Sequence, residues 1–531
     1  MLSEVEPTSA AGIPLPEVAG PEHVGRGLKE RLGVPGAFPF TRGVRAGMYR
    51  SRTWAIRQLA GFATATDTNA RYRLLLEGGA TGINGVFDYP SLRAFDSDDP
   101  RARSDAGRGG VAVDVANDFE ELFAGIPLDR VSVSLVSSQP IGAVPHLAMF
   151  MRAAQRMGYD RQVLAGTSQN DFLMETAITI APEALPPAGS FRLECDLAQW
   201  CLEFMPRWNP VSISGYNYRE AGADAVLEMA LALAHGQAVA RELLKRGLPA
   251  EVLLPRITFF FCAHNDLLEE VAKFRAARRM WARWVRDELG VQDPRSQQLR
   301  FHVQTSGVSN TARHAQVNIA RSALQGAAAV LGGAQSLHIN GYDEALSIPS
   351  ESAARVALWT QHVLLHETGL TGSADPLGGS YLVEYLTDQL EDRALASLAE
   401  IDGMGGVVRA TEGGWVHAQL GTKAYEHQLA LESGQQLVVG LNHQLDGADI
   451  EVEPFVLPTG TLERQAAKLA QTRRDRDAAA VAARLRDVGS ACMEGHNVMP
   501  SVIAAVDAAA TLGEIGLVFR DSLGRWDFPL W

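Results

Sequence analysis

From about residue 80 onward, short strand-like runs alternate with amphipathic helical ones, and this alternation constrains the fold more than any other feature of the chain. The strand candidates are Ile83–Phe87, Val131–Val136, Val163–Thr167, Val211–Ser214, Ile257–Phe261, Arg300–Gln304 and Ser336–Ile339. Helices are expected at Ala221–Arg246, Leu267–Glu288, Val317–Leu331 and Ser352–Glu367, among others. Repeated strand–helix alternation means parallel βαβ units, and about seven or eight of them predict an α/β protein built as a closed (β/α)8 TIM barrel. Barrel interiors are ordinarily filled by branched apolar side chains. Here alternate strand positions are small or polar: Ser132 and Ser134, Ser212 and Ser214, His302 and Gln304, Ser336 and His338. Facing the helices, each such group would need a partner or carry a desolvation cost. Facing inward, they would line a passage along the axis, wet or filled by a polar ligand, and this polar-lined axis is the preferred arrangement.

Of the 531 residues 46% are hydrophobic and 21% charged, ordinary for a globular protein. The formal net charge of -14 argues against nucleic acid or an anionic membrane as partner. Cys195, Cys201, Cys262 and Cys492 show no paired ligand spacing; they read as reduced, buried thiols of a cytoplasmic protein, and no metal site is expected. The apolar run at 225–240 is broken by Glu228, His235 and Gln237, which makes it a buried helix and not a membrane span. Three regions are expected. Residues 1–35 carry acids, prolines and no basic leader, and read as an extended or disordered arm. Residues 36–405 form the barrel, and 406–531 a mainly helical extension with a short strand at QLVVGLN, helices at Leu462–Val488 and Val498–Leu512, and a solvated charged face at QTRRDRD.

The stretch from Thr41 to Gly79 places Arg45, Arg50, Arg52 and Arg57 among Met48, Tyr49, Trp54 and Ile56. Forked guanidinium groups hold anionic oxygens while the apolar residues anchor the segment; a solvated basic loop is equally compatible with the spacing. Asp67 or Thr68 is placed to cap a helix from about Asn69 to Leu76.

MYRSRTWAIRQLAGFATATDTN resembles the opening of the catalytic subunit of coenzyme-B12-dependent acyl-CoA mutases. This family includes the methylmalonyl-CoA, isobutyryl-CoA and 2-hydroxyisobutyryl-CoA enzymes. The resemblance continues in order through FDYPSLRAFDSDDPRARSDAGRGGVAVD, LAGTSQNDFL, SISGYNYREAGADA, LPRITFFF, LRFHVQTSG, LGGAQSLHINGYDEALSIPSE and DPLGGSYLVEYLT. Such an ordered series is far more specific than any single motif.

The resemblance implies a barrel that threads the pantetheine arm of coenzyme A along its axis. Arg52 and Arg57 match positions on the nucleotide and phosphate side of the ligand. Ser134, Thr167, Gln169, Asn209, Arg256, Thr258, His302, Gln304 and Gln335 match the substrate channel, and Asn340 and Glu344 match positions near the adenosyl group. The family's Asp-x-His-x-x-Gly loop, whose histidine ligates cobalt, does not occur: His443 lies in LNHQLDG and His496 in EGHNVMP. Adenosylcobalamin is therefore expected to be held mainly by a separate small subunit, in a heterotetramer or around a homodimer of large subunits.

Several positions depart from the family. Thr179 stands where an arginine clamps the free carboxylate of methylmalonyl-CoA; Leu59 replaces a tyrosine that lies against the substrate; Asn217 replaces a histidine that donates to the thioester carbonyl. Val86 replaces the aspartate that receives the hydroxyl in the 2-hydroxyisobutyryl enzyme, and Arg45-Ala46-Gly47-Met48 replaces Tyr-Pro-Thr-Met. The expected catalytic set is Asn217, Leu59 and Gln169. The expected function is a radical 1,2-carbon-skeleton rearrangement of a branched or hydroxylated, non-dicarboxylic acyl thioester. A methylmalonyl-CoA mutase and a non-catalytic paralogue that binds an acyl thioester or a protein partner are the alternatives.

Overall fold

Parallel pairing organises every strand segment of the computed structural model, which describes residues 7–102, 104–179, 183–447, 451–452 and 455–527. The segments are β1 (Ala55–Ile56), β2 (Leu59–Ala60), β3 (Gly82–Val86), β4 (Ser132–Val136), β5 (Gly166–Ser168), β6 (Trp208–Asn209), β7 (Val211–Ser214), β8 (Ile257–Ala263), β9 (Phe301–Thr305) and β10 (Ser336–His338). They form two five-stranded sheets in the orders β1-β10-β9-β8-β7 and β2-β3-β4-β5-β6.

The two sheets meet at two interrupted staves. β1 and β2 are separated only by Arg57 and Gln58, and β6 and β7 only by Pro210. Counting each pair as one stave leaves eight. The first stave bonds on both sides: Arg57 N–H donates to Leu337 O at 3.1 Å, and Thr81 N–H donates to Ile56 O at 2.9 Å. In the other, β6 pairs with β5 while β7 pairs with β8. Every stave thus has two neighbours, and the ring is a (β/α)8 barrel.

Each interruption has a local cause. Pro210 has no N–H to give to a ladder. At Gln58 side chains replace the ladder: Gln58 Oε1 accepts from Ile339 N–H at 3.2 Å, and Leu59 N–H donates to His338 Nδ1 at 3.0 Å.

The pleat separates two environments. Ile83, Val133, Leu135, Ile213, Phe259, Phe261, Val303 and Leu337 are buried in the main core between sheet and helices. Of the residues that alternate with them, Asn84, Ser132, Ser134, Ser212, Ser214, Thr258, His302, Gln304, Ser336 and His338 are polar, Val86 and Val136 end β3 and β4 as an apolar pair, and Phe260 and Cys262 form with Tyr216 a small separate apolar cluster. The helices at Ala225–Lys245, Leu267–Arg283 and Val317–Leu331 supply the outer layer.

Several sequence expectations need correction. The helix after the arginine-rich segment begins earlier, at Ala65, because Thr64 is its cap, accepting from Asp67 N–H. The described part of the arm packs on the barrel rather than standing free: Ser9 Oγ donates to Glu269 at 2.5 Å, Ala11 N–H donates to the same carboxylate at 2.8 Å, and Ile13 is fully buried. Residues 435–442 make no strand, only an isolated bridge between Val439 and His443. The region expected as one helix over Leu462–Val488 is two, Thr461–Asp475 and Ala478–Glu494, because Asp477 caps the second by accepting from Ala479 and Ala480 N–H. Likewise Val498–Leu512 resolves into Met499–Asp507 and Leu512–Leu523, the latter capped by Thr511. The QTRRDRD face is not merely solvated: Arg473 pairs with Asp96 at 2.7 Å and with Asp98, and Arg476 pairs with Glu514. All four cysteines are free and buried. Among the described residues no helix is long and apolar enough to cross a membrane.

Candidate active site

A cavity of about 430 Å³ runs into the barrel, lined by residues at the N-terminal ends and in the middle of the strands. Arg45, Arg52, Arg57 and Arg300 stand on its wall, and no carboxylate lies among its lining residues. Arg57 Nη2 donates to Ser132 Oγ at 2.5 Å, while its Nε is buried without a partner. Burial pulls this guanidinium down to about 10, so it remains a cation at neutral pH. Burial, then the neighbouring Arg256, Arg295, Arg45 and Arg52, likewise lowers Arg300. Four cations without a compensating carboxylate make an anion-binding wall. Arg57 reaches it because residue 82 is glycine: a Cβ there would lie 3.1 Å from Arg57 Nε and 3.0 Å from Ser132 O.

Deeper in, Ser134, Thr167, Asn209, Thr258 and His302 line the wall. His302 Nδ1 lies 2.7 Å from Ser336 Oγ, and its Nε2 is buried without a partner. Burial, then Arg57 and His338, pushes this imidazole well below its ordinary range, so it is neutral. Gln335 is spent on structure, accepting from Phe301 N–H at 2.9 Å and donating to Gly333 O at 2.6 Å.

A second polar group forms at the C-terminal ends of the strands. Gln169 Nε2 donates to Ser214 Oγ at 2.7 Å, and Ser214 Oγ donates to Asn217 Oδ1. Gln304 Nε2 donates to Tyr216 OH at 2.9 Å and to Asn340 Oδ1 at 3.0 Å. Glu220 accepts from Ser306 Oγ and from the Gly307 and Val308 amides. Burial, then the neighbouring Glu220 and Asp343 charges, pushes the Glu344 carboxyl up to about 8.

The sequence-derived positions therefore sort spatially. Arg52, Arg57, Ser134, Thr167, Gln169, Asn209, Thr258, His302 and Gln335 share the cavity. Asn217, Gln304, Asn340 and Glu344 belong to the polar group beyond it. Leu59 lines a neighbouring, largely apolar pocket with Phe62, Ile339 and Ala357. Val86 ends β3 beside Gly61. Thr179 donates to Met174 O at 2.8 Å and accepts from Gln139 Nε2 at 3.1 Å. Arg256 does not stand on the cavity wall: it donates to the carbonyls of Pro206 at 2.9 Å and Met205 at 2.7 Å in the turn after the helix ending at Phe204. Arg300 takes the wall position instead. Sequence reasoning missed Arg300 and Asn84. Asn84 carried a usable signal, since it sits on a strand with apolar Ile83.

A barrel with a cationic wall at one end, a polar axis and a carboxyl-bearing polar group at the other is an enzyme scaffold for a long anionic ligand taken along the axis. The chain belongs to the methylmalonyl-CoA mutase family, whose pattern matches residues 8–525. The named relatives are acyl-CoA mutases, a class of isomerases. The 2-hydroxyisobutanoyl-CoA mutase large subunit of Aquincola tertiaricarbonis is 42% identical over 488 residues, 92% of this chain and 86% of that protein. The methylmalonyl-CoA mutase of Cereibacter sphaeroides is 39% identical over 510 residues, 96% of this chain and 70% of that protein. The mitochondrial enzyme of Homo sapiens is 38% identical over 494 residues, 93% of this chain and 66% of that protein.

Adenosylcobalamin is the family's cofactor. The C-terminal ends of the strands fit its nucleoside part through Glu344, a carboxyl held near two other acids and able to accept a hydrogen bond from a ribose hydroxyl, whereas the Asn340 amide is engaged by Gln304 Nε2 and Thr305 O. The sequence carries no Asp-x-His-x-x-Gly loop for cobalt.

Proposed function

We propose that this chain is the substrate-binding, catalytic part of an adenosylcobalamin-dependent mutase that rearranges a non-dicarboxylic, branched or hydroxylated acyl-CoA, with cobalt carried on a separate polypeptide. The observation that carries this reading is the cavity itself: a wall of four arginines opening into a polar axis that reaches Gln169, which is hydrogen-bonded to Ser214 and through it to Asn217. Arg45, Arg52, Arg57 and Arg300 bind the phosphates of coenzyme A. Thr167, Asn209 and the neutral His302 bond the amides of its pantetheine arm. The barrel walls exclude water from the acyl end, and Asn217 donates a hydrogen bond to the thioester carbonyl. The cofactor, when bound, supplies the radical that initiates the rearrangement.

The acyl group follows from what surrounds Thr179. Its hydroxyl is engaged by Met174 and Gln139, and neither can balance a carboxylate. Calorimetric titration of the protein with isobutyryl-CoA tests the binding half. Binding that weakens at least tenfold in Arg57→Ala and with added salt supports the assignment; unchanged affinity in Arg57→Ala overturns it.

A further inference from the structure

Gln169 and Asp171 lie two residues apart on the loop that follows β5, and both grip the same residue on another stave. Gln169 Nε2 donates to the Ser214 side chain at 2.7 Å, and the Asp171 carboxylate accepts from Ser214 N–H at 2.7 Å. Asp171 is itself held from behind: Tyr218 OH donates to it at 2.7 Å, and His235 lies 3.5 Å from it while contacting Glu194 at 2.9 Å. Ser214, Asp171, His235 and Glu194 are all fully buried.

A serine hydroxyl has one proton to give. Having accepted from Gln169, Ser214 Oγ gives that proton to Asn217 Oδ1. The chain of bonds therefore has a direction, and it sets both amides at its ends. The Asn217 oxygen is occupied, so its Nδ2 is the end left to meet a ligand. The Gln169 nitrogen is occupied, so its Oε1, buried without a partner on the cavity wall, is the end left there.

We infer that Ser214 is a positioning residue that fixes the polarity of the thioester site: Asn217 Nδ2 is its donor to the carbonyl oxygen, and Gln169 Oε1 is an acceptor for a ligand N–H or O–H. This rests on the acyl-CoA reading above and goes beyond it, because Gln169 turns its acceptor oxygen to the cavity and the hydroxyl of Ser214 becomes the element that orients the donor. A free asparagine amide spends part of its time with oxygen toward the carbonyl, which repels it; the serine removes that orientation.

The test uses the protein without cofactor and isobutyryl-CoA labelled with carbon-13 at the carbonyl. Isotope-edited infrared difference spectra read the bound carbonyl stretch, calorimetry reads affinity, and melting reads the fold. The wild type should show a stretch lowered from that of the free thioester. Ser214→Ala keeps the Asp171 bond to the backbone amide and so keeps the fold; it should bind with affinity within a few-fold of wild type but lose at least half of the shift. Asn217→Asp keeps an oxygen for Ser214 and has no N–H; it should lose the shift entirely, and it remains informative should Ser214→Ala be unstable. A folded, acyl-CoA-bound Ser214→Ala or Asn217→Asp with the full wild-type shift overturns the inference, as does a wild type that binds with an unshifted carbonyl. A wild type that binds no acyl-CoA overturns the functional reading and this inference together, so the two failures are told apart by the calorimetry.

Discussion

In the proposed function, Thr179 and Asn217 are the single residues that set which substrate is accepted and how fast it reacts. Burying an unpaired carboxylate beside Thr179 should cost on the order of 3 kcal/mol, roughly a hundredfold in specificity. Replacing Thr179 by Arg should therefore shift preference toward the dicarboxylic methylmalonyl thioester, measured as the ratio of kcat/KM for the two thioesters; an unchanged ratio would show that this position does not face the acyl group. Asn217 is a neutral donor, and a charged donor is worth about 1 kcal/mol more. Asn217→His should leave acyl-CoA affinity nearly unchanged and raise the rearrangement rate modestly. Asn217→Ala should lower that rate about tenfold or more. A destabilised Ala variant with an unaltered single-turnover rate would reduce Asn217 to a structural role.

At the scale of elements, the barrel depends on side chains where its ladder fails. Gln58 Oε1 serves Ile339 N–H and lies 2.7 Å from His338 Nδ1, within a buried setting. Gln58→Leu removes the acceptor and leaves a buried amide unpaired, which should cost about 1–3 kcal/mol. A denaturant melt with unchanged stability would mean that water or His338 takes over. The same feature explains what could and could not be read from the sequence. Val211–Ser214 and Val317–Leu331 were legible in full, because each is a clear period-2 or period-3.6 run bounded by breakers. The first stave was not: Ala55–Ala60 contains Arg57 and Gln58, so no apolar alternation marks it, and it is a strand only because β10 and β3 flank it. The break between the two helices at Arg476 and Asp477 was hidden for a related reason, since alanine-rich flanks carry helical periodicity straight across a cap. In the site, the polar alternation gave away Ser134 and His302. Arg256 and Arg300 both precede strands and look alike in sequence; the tertiary fold sets Arg256 on the carbonyls of Met205 and Pro206 and Arg300 on the carbonyl of Pro255 at the cavity wall.

At the scale of the whole molecule, the two ends of the axis differ in character, arginine cations at one and the buried carboxyls of Glu220 and Glu344 at the other. Glu220 is pushed up to about 7, by burial first. Glu344 is raised from its ordinary 4.5 to about 8, so the fold favours its protonated form; that stabilisation is complete below about 4.5 and is lost as pH rises through about 8. Glu344→Gln should remove this dependence, so the melting temperature of the wild type should fall relative to the variant between pH 5 and 8; parallel pH profiles would show that the carboxyl is ionised throughout. A ligand that donates hydroxyl protons to Glu344 should oppose the loss. The account also expects the purified chain to show no mutase turnover with adenosylcobalamin alone, and to gain it from a cobalamin-binding protein carrying an Asp-x-His-x-x-Gly loop; full turnover by the chain alone would contradict the proposed division. The most direct measurement of the central claim is kcat/KM of this reconstituted system for isobutyryl-CoA against methylmalonyl-CoA, with product identified by mass spectrometry. The account predicts rearranged product from the neutral branched thioester at roughly a hundredfold or greater advantage; comparable turnover of the two thioesters, or none of either, would contradict it.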